Sequence, residues 1–335
     1  MPADLVVQVK KVIGSRQEAM KEQRLIGRHT GQQKGPLLVC FGGVHGNEPA
    51  GIQALSILFK LLELEPESNP DFWFRGRITG FKGNLRAIEK GVRYQSRDLN
   101  RQWRPEVVKR VLQTPASQLR GEELEILELH KAVIEEIEDY QPDEVVVLDL
   151  HTTTAYGGIF SIATDKPKSI NIAVELHAPV ITGLLNGIQG TTLHYFNTEN
   201  IGVETTTVCF ESGQHEETLS VNRAIAAIIN CMRTVGCVNS EHVENRHDAL
   251  LIEYARGLPK VSELITIHSI EPGDQFRMVP DYKNFQKVKQ GEILAFDKNG
   301  PIEAVEDGLI LMPLYQKQGE DGFFLIRAVS QAVFQ

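Results

Sequence analysis

Two runs of strand length, Leu37-Leu-Val-Cys-Phe41, apolar at every step, and Glu144-Val-Val-Val-Leu-Asp-Leu150, apolar but for Glu144 and Asp149, constrain this chain more than any other feature. A strand with one wet face alternates apolar and polar residues. One that stays apolar at every step is buried on both faces, the pattern of a parallel sheet covered by helices. The sequence between and after these runs agrees. Pro49 stands where proline is tolerated, in the first turn of a helix reaching about residue 64. Residues 75–81, 159–164 and 203–210 read as strands. Residues 121–139, rich in Glu, Leu and Ile, read as an amphipathic helix, and 167–177 and 224–233 as further helices. Alternating strand and helix predicts an α/β fold with a mixed, mostly parallel sheet flanked by helices, in which ligands gather at the carboxyl ends of strands.

After residue 245 the texture changes. Residues 264–270, 275–279, 292–296, 302–305, 308–314 and 323–329 read as short strands separated by Gly, Pro, Asp and Asn turns. This predicts two domains, α/β over 1–244 and a small all-β C-terminal domain over 245–335. At the other end, residues 5–24 suggest a short helix and 31–36 carry turn chemistry.

Composition excludes several classes of function. A chain of 335 residues is long enough for two domains and needs no metal or disulfide merely to fold. With 35 Lys+Arg against 44 Asp+Glu, the net charge of −9 argues against nucleic acid or an anionic membrane as partner. An anionic substrate must then be met by a few placed arginines. The start lacks the basic-then-apolar run of a signal peptide, and no stretch approaches the ~18 apolar residues of a membrane span. The four cysteines follow no metal-binding spacing, and Cys40 and Cys209 sit inside apolar runs. A reducing cytoplasm is the expected location.

Three predicted strand ends carry chemistry. The first runs into Gly42-Gly-Val-His45-Gly-Asn-Glu48, where His45 and Glu48 can converge on one ion beside glycines that let the backbone turn sharply. The run at 144–150 leads into His151 and three threonines. Two His and one carboxylate form the ligand set of a catalytic zinc, with a fourth position left for water. The third end is Val208-Cys-Phe-Glu211-Ser-Gly-Gln-His215. An acid directly after an apolar strand is costly to bury without a partner, and Glu211 is placed to move protons during hydrolysis. A fourth element, Arg93-Tyr-Gln-Ser-Arg97-Asp98-Leu-Asn100-Arg101, brings three arginines and an Asn into nine residues. Arginine forks bind carboxylates and neutralise developing oxyanions, and Asp98 can serve instead to orient a zinc-bound His.

Taken together, Gly43-Val-His45-Gly-Asn-Glu48, Gly83-Asn84-Leu-Arg86-Ala87, Arg93-Tyr94 with Asp98-Leu-Asn100-Arg101, Asp149-Leu-His151-Thr152 and Glu211-Ser-Gly213 resemble the succinylglutamate desuccinylase/aspartoacylase family of zinc carboxypeptidase-like hydrolases. The five motifs keep the family's order over residues 35–215. The resemblance implies one Zn²⁺ per chain, held by His45, Glu48 and His151, with Asp98 hydrogen-bonded to a zinc-bound His. It makes Glu211 the general base and then acid, and Arg93 the oxyanion partner, while Asn100 and Arg101 grip a substrate carboxylate. The implied reaction is hydrolysis of a small N-acyl amino acid. The implied fold is a carboxypeptidase-like α/β sandwich followed by a β domain that narrows the mouth of the site.

The match departs from the family at one subsite. Relatives acting on acyl aspartate or glutamate place another basic residue before the catalytic Glu, whereas residues 190–207 contain no Lys or Arg. His194 and Tyr195 are the obvious donors there, which makes His194 a candidate substrate-binding residue. The aspartoacylase-like tyrosine of the β domain has no clear counterpart, Tyr315 being only a loose candidate, and residues 285–296 look closer to desuccinylases. Two other functions stay open: a metallocarboxypeptidase trimming a peptide C-terminus, and a zinc-free relative that only binds a small acid. Self-association into a homo-oligomer stays open too.

Overall fold

The computed structural model describes residues 23–239 and 246–329. The N-terminal helix expected over 5–24 lies almost wholly outside the described residues.

The strands are β1 (Leu25–Thr30), β2 (Gln33–Gly42), β3 (Arg75–Lys82), β4 (Glu144–Thr153), β5 (Phe160–Ala163), β6 (Val180–Thr182), β7 (Glu204–Gln214), β8 (Val261–Ser269), β9 (Arg277–Met278), β10 (Gln286–Val288), β11 (Ile293–Asp297), β12 (Gly300–Glu303), β13 (Gly308–Leu311) and β14 (Asp321–Ala328). The longer helices are α1 (Ala50–Ser68), α2 (Leu85–Lys90), α3 (Pro105–Gln113), α4 (Glu122–Tyr140) and α5 (Pro167–Glu175). Three single-turn helices follow, α6 (Leu184–Gly187), α7 (Thr192–Tyr195) and α8 (Thr198–Ile201), and then α9 (Thr218–Thr234) and α10 (Arg246–Tyr254).

Eleven strands form one sheet in the order β1-β3-β2-β4-β7-β5-β6-β8-β14-β13-β10, and β12-β11-β9 form a second. The block β3-β2-β4-β7 is parallel, β1 is an antiparallel edge, and β5 runs antiparallel to β7. The mixed α/β sheet with a small C-terminal β region is the fold expected from sequence. The division expected at 244/245 falls outside the described residues, and β8 pairs with β6, which carries the sheet across it.

The middles of β2 and β4 are apolar on both faces because both faces are covered. Leu38 and Cys40 of β2, with Val146, Leu148 and Leu150 of β4, pack under α1, α5 and α9. The alternate residues Leu37, Val39 and Phe41, with Val145 and Val147, pack under α3 and α4 around the fully buried Trp103. This period-two split is what a pleated strand between two helical layers requires. It also fixes the site, because Asp149 and His151 continue the α4 side of β4. Among the described residues no helix is long and apolar enough to cross a membrane.

Candidate active site

The parallel strands deliver three polar segments to their carboxyl ends. Beyond β2 the chain turns at Gly43, whose φ of +72° suits glycine. Gly46 is pressed against α2 so closely that a Cβ there would lie 2.2 Å from the Ala87 carbonyl carbon. This turn brings His45 and Glu48 into the sheet's edge. His151 and Glu211 face each other across the β4–β7 ladder. They lie inside their strands, not in loops beyond them.

His45 Nδ1 lies 2.8 Å from Glu48 Oε1, and His151 Nδ1 lies 3.1 Å from Glu48 Oε2. The Thr152 N–H also donates to Glu48 Oε2 at 3.0 Å. The ring centroids of the two histidines are 4.9 Å apart. One ligand atom from each of His45, Glu48 and His151 lies within 4.8 Å of the others, and all three residues are buried.

The outer nitrogens of both imidazoles face carboxylates. His45 Nε2 is 3.1 Å from Asp98 Oδ1, and His151 Nε2 is 3.0 Å from Asp149 Oδ2, off the line of a hydrogen bond. Arg93 donates through Nε to Asp98 Oδ2 at 3.0 Å, and another of its nitrogens lies 3.6 Å from Glu48 Oε1.

The electrostatics of this cluster fit a divalent cation. Glu48, Asp98 and Asp149 surround two imidazoles with, among the described residues, only Arg93 as a permanent cation in ion-pair contact. Burial opposes ionisation of Glu48, yet His45 and His151 hold its carboxyl well below the usual range. Burial likewise opposes Asp98, and Arg93 and His45 hold it well below. Burial disfavours the His151 cation, but Asp149 and Glu48 raise its pKa well above the usual value. Buried acid in excess of base is what a bound metal ion compensates. Two imidazoles and a carboxylate are a zinc donor set, and an outer carboxylate on each imidazole fixes its ring. The residues present fit the ion.

Glu211 is different. Burial, with Glu48 adding to it, pushes its carboxyl up to about 8 against the pull of His151, and its Oε2 has no hydrogen-bond partner. It lines one cavity together with His45, Glu48, Arg93, Asn100, Arg101 and His151, with about 810 Å³ of empty space counted to the open mouth. Asn100 Oδ1 accepts from the Thr192 N–H at 2.9 Å. Arg101 is ion-paired with Asp321.

Two expectations do not hold. His194 is absent from the cavity wall. Its Nδ1 meets Thr191 Oγ1 at 2.7 Å and its Nε2 the Leu185 carbonyl at 3.1 Å, so it caps α7 and does not face a substrate. The Tyr315 hydroxyl is likewise engaged elsewhere, donating to the Val279 carbonyl at 2.9 Å and accepting from the Tyr282 N–H at 2.8 Å.

Sequence reading missed three contributors. Asp149 braces His151, and its signal was an acid inside an apolar run, two residues before a candidate ligand on the same face. His215 lines the cavity, its Nδ1 2.7 Å from Thr152 Oγ1. The β13–β14 connection closes over the site. Gln316 accepts from Asn47 at 2.8 Å, Gln318 accepts from the Arg93 N–H at 3.1 Å, and Glu320 and Asp321 join the wall.

With this geometry in place, comparison with known proteins is informative. The model of the succinylglutamate desuccinylase/aspartoacylase catalytic domain matches residues 34–235. The chain belongs to the succinylglutamate desuccinylase/aspartoacylase family, whose members are deacylating hydrolases. Solved structures carry the same fold. A succinylglutamate desuccinylase/aspartoacylase from Rhodobacter sphaeroides is 18% identical, with 89% of this chain and 86% of that chain covered and a TM-score of 0.60. The product-bound ectoine utilization protein EutE (DoeB) from Ruegeria pomeroyi is 17% identical over 90% and 88%, with a TM-score of 0.59. A succinylglutamate desuccinylase from Vibrio cholerae is 18% identical over 89% and 82%, with a TM-score of 0.58. No curated protein matches the chain.

Proposed function

We propose that this family member is a zinc-dependent amidohydrolase that cleaves the amide of a small N-acyl amino acid to a carboxylate and a free amino acid. The observation that carries this reading is the convergence of His45, Glu48 and His151 beside the buried, unpartnered Glu211 carboxyl and the Arg93 guanidinium.

His45, Glu48 and His151 would hold the ion, with Asp98 and Asp149 keeping the imidazoles in place. A Zn²⁺ there supplies Lewis acidity and lowers the pKa of a water to about 7. A cation held beside Glu211 would favour its ionised form, and the carboxylate then takes a proton from the attacking water and returns it to the departing amine. Arg93 donates to the oxygen on which negative charge develops. Asn100 and Arg101 meet the amino-acid carboxylate. Arg101 has given one nitrogen to Asp321 and another to the Asn100 carbonyl, out of five N–H donors on a guanidinium. The four cysteines are free and buried, which suits the reducing cytoplasm as the place of reaction.

Two variants test the reading. Glu211→Gln should retain zinc and lose hydrolysis, whereas His45→Ala should lose both, measured as metal content beside release of free amino acid from acetyl, succinyl and formyl amino acids. Near-wild-type turnover by Glu211→Gln would remove Glu211 from the chemistry. Dipeptides assayed in parallel separate a deacylase from a carboxypeptidase.

A further inference from the structure

One wall of the cavity takes no part in the chemistry above, and it is apolar. Side chains alternate along a strand, so Cys209 and Glu211 share one face of β7. Their antiparallel partners on β5 are Ile162 and Phe160, and Ile162 is paired in turn with Ile181 of β6. Within two strands the sheet therefore changes from Asp149 and His151 to an apolar surface. Leu184, Ile188 and Leu193 cover it from the segment before β7, and Met312 and Phe324 from the C-terminal region.

The charges tell the same story. Arg93 and Arg101 are the only Lys or Arg lining the cavity among the described residues, and each already faces an acid, Asp98 and Asp321 respectively. Glu320 lies beside them. One substrate carboxylate can share the remaining donors of Asn100 and Arg101. The rest of the lining is apolar side chains, Glu320 and Asp321, and neutral polar groups such as Thr153, Thr154, His215 and Gln316, so a second carboxylate would find no further Lys or Arg to offset its desolvation.

The apolar wall begins at the carboxylate end. The Thr192 N–H that holds Asn100 is followed directly by Leu193 on the wall. With the carboxylate on Asn100 and Arg101, the substituent on the carbon bearing it would be the group next to this surface. Resting on the deacylase reading, we infer that the substrate is an N-acyl amino acid with an uncharged, apolar side chain, leucine- or phenylalanine-like, and not an acyl aspartate or glutamate.

The test uses the full-length, zinc-loaded enzyme. N-Acetyl-L-leucine, N-acetyl-L-phenylalanine, N-acetyl-L-aspartate and N-succinyl-L-glutamate are compared by kcat/KM, and the four corresponding free amino acids by calorimetric binding. The apolar compounds should lead by at least about tenfold in both measures, a gap of about 1.4 kcal/mol. Equal or better performance by the acidic compounds, or binding by none of the amino acids, overturns the inference. Ordered binding of leucine and phenylalanine without hydrolysis of any acyl compound strikes the deacylase reading alone and supports the apolar subsite. Ile188→Arg should shift the apolar-to-acidic ratio at least about tenfold toward the acidic compounds. An unshifted ratio in a folded variant overturns the assignment of this wall to the substrate. If Ile188→Arg does not fold, the wild-type ratios decide.

Discussion

Glu211 makes the structure testable without any substrate. Its carboxyl is buried, one oxygen has no partner, and its pKa rises from 4.5 to about 8, with burial as the largest cause. The sign follows from which state binds the proton. The unfolded chain releases it near 4.5, while the folded, metal-free protein keeps it until about 8. The stability contributed by protonation is therefore complete below the lower value and is lost as pH rises through the upper one. At about 1.4 kcal/mol for each tenfold difference in proton affinity, the full loss is at most about 5 kcal/mol. Glu211→Gln removes the titration while keeping the shape. An amide left partly unpaired in the cavity carries its own cost, about 1–3 kcal/mol, but that cost does not change with pH. Urea unfolding of chelator-stripped wild type and variant, at about pH 5 and about pH 9, isolates the titrating part, because the other ionisable groups are shared. The variant should gain several kcal/mol on wild type between the two pH values. A stability difference that stays flat would refute the idea that Glu211 is buried with its proton.

The remaining expectations concern the neighbours of the metal ligands and the turn that carries them. Asp149→Asn and Asp98→Asn should each weaken zinc binding by about 10–100-fold in competition with a chromophoric chelator, because each removes the carboxylate bracing one imidazole. Arg93→Ala should leave bound zinc in place, measured by elemental analysis, and lower kcat by about 10²–10³. Gly46→Ala should lower the thermal midpoint through a loss of roughly 1–3 kcal/mol or more, since its Cβ would meet the Ala87 and Ile88 backbone at 2.2 and 2.4 Å. An unchanged midpoint would show that the loop relaxes away from α2.

The architecture was legible wherever hydrophobicity repeats at every step. β2 and β4 could be read because two helical layers bury both of their faces. The edge strand β1 escaped because its residues are mostly half-buried and carry Arg and His. The three-residue strands β6 and β10 are too short to show a period. The ends of β4 and β7 escaped for another reason. Hydropathy stops near residues 150 and 210, but the ladder continues through Thr152, Thr153, Ser212 and Gln214, which are buried nonetheless. Their polar groups are answered locally: Thr153 donates to the Ala155 carbonyl at 2.8 Å, and Ser212 to the His151 carbonyl at 3.2 Å. A satisfied polar residue can prolong a buried strand, and no apolar pattern records it.

The site divides along the same physical line. Residue types that the proposed chemistry calls for announced themselves: His45, Glu48, His151 and Glu211 near the carboxyl ends of strands, and Arg93 in the segment after α2. Apart from Asp98 beside His45, what those residues are paired with did not, because the other partners are set by tertiary contacts over long sequence separations. Arg101 was expected to be an open carboxylate fork, yet Asp321, 220 residues later, already holds it. Gln318 fixes the Arg93 backbone from 225 residues away, and Gln316 ties down Asn47 across 269. An unpaired arginine and one balanced by an aspartate read identically in sequence but present different fields to a ligand. The C-terminal region thus sets the charge of the cavity as well as its shape, by facing Arg101 with Asp321 and placing Glu320 on the same wall.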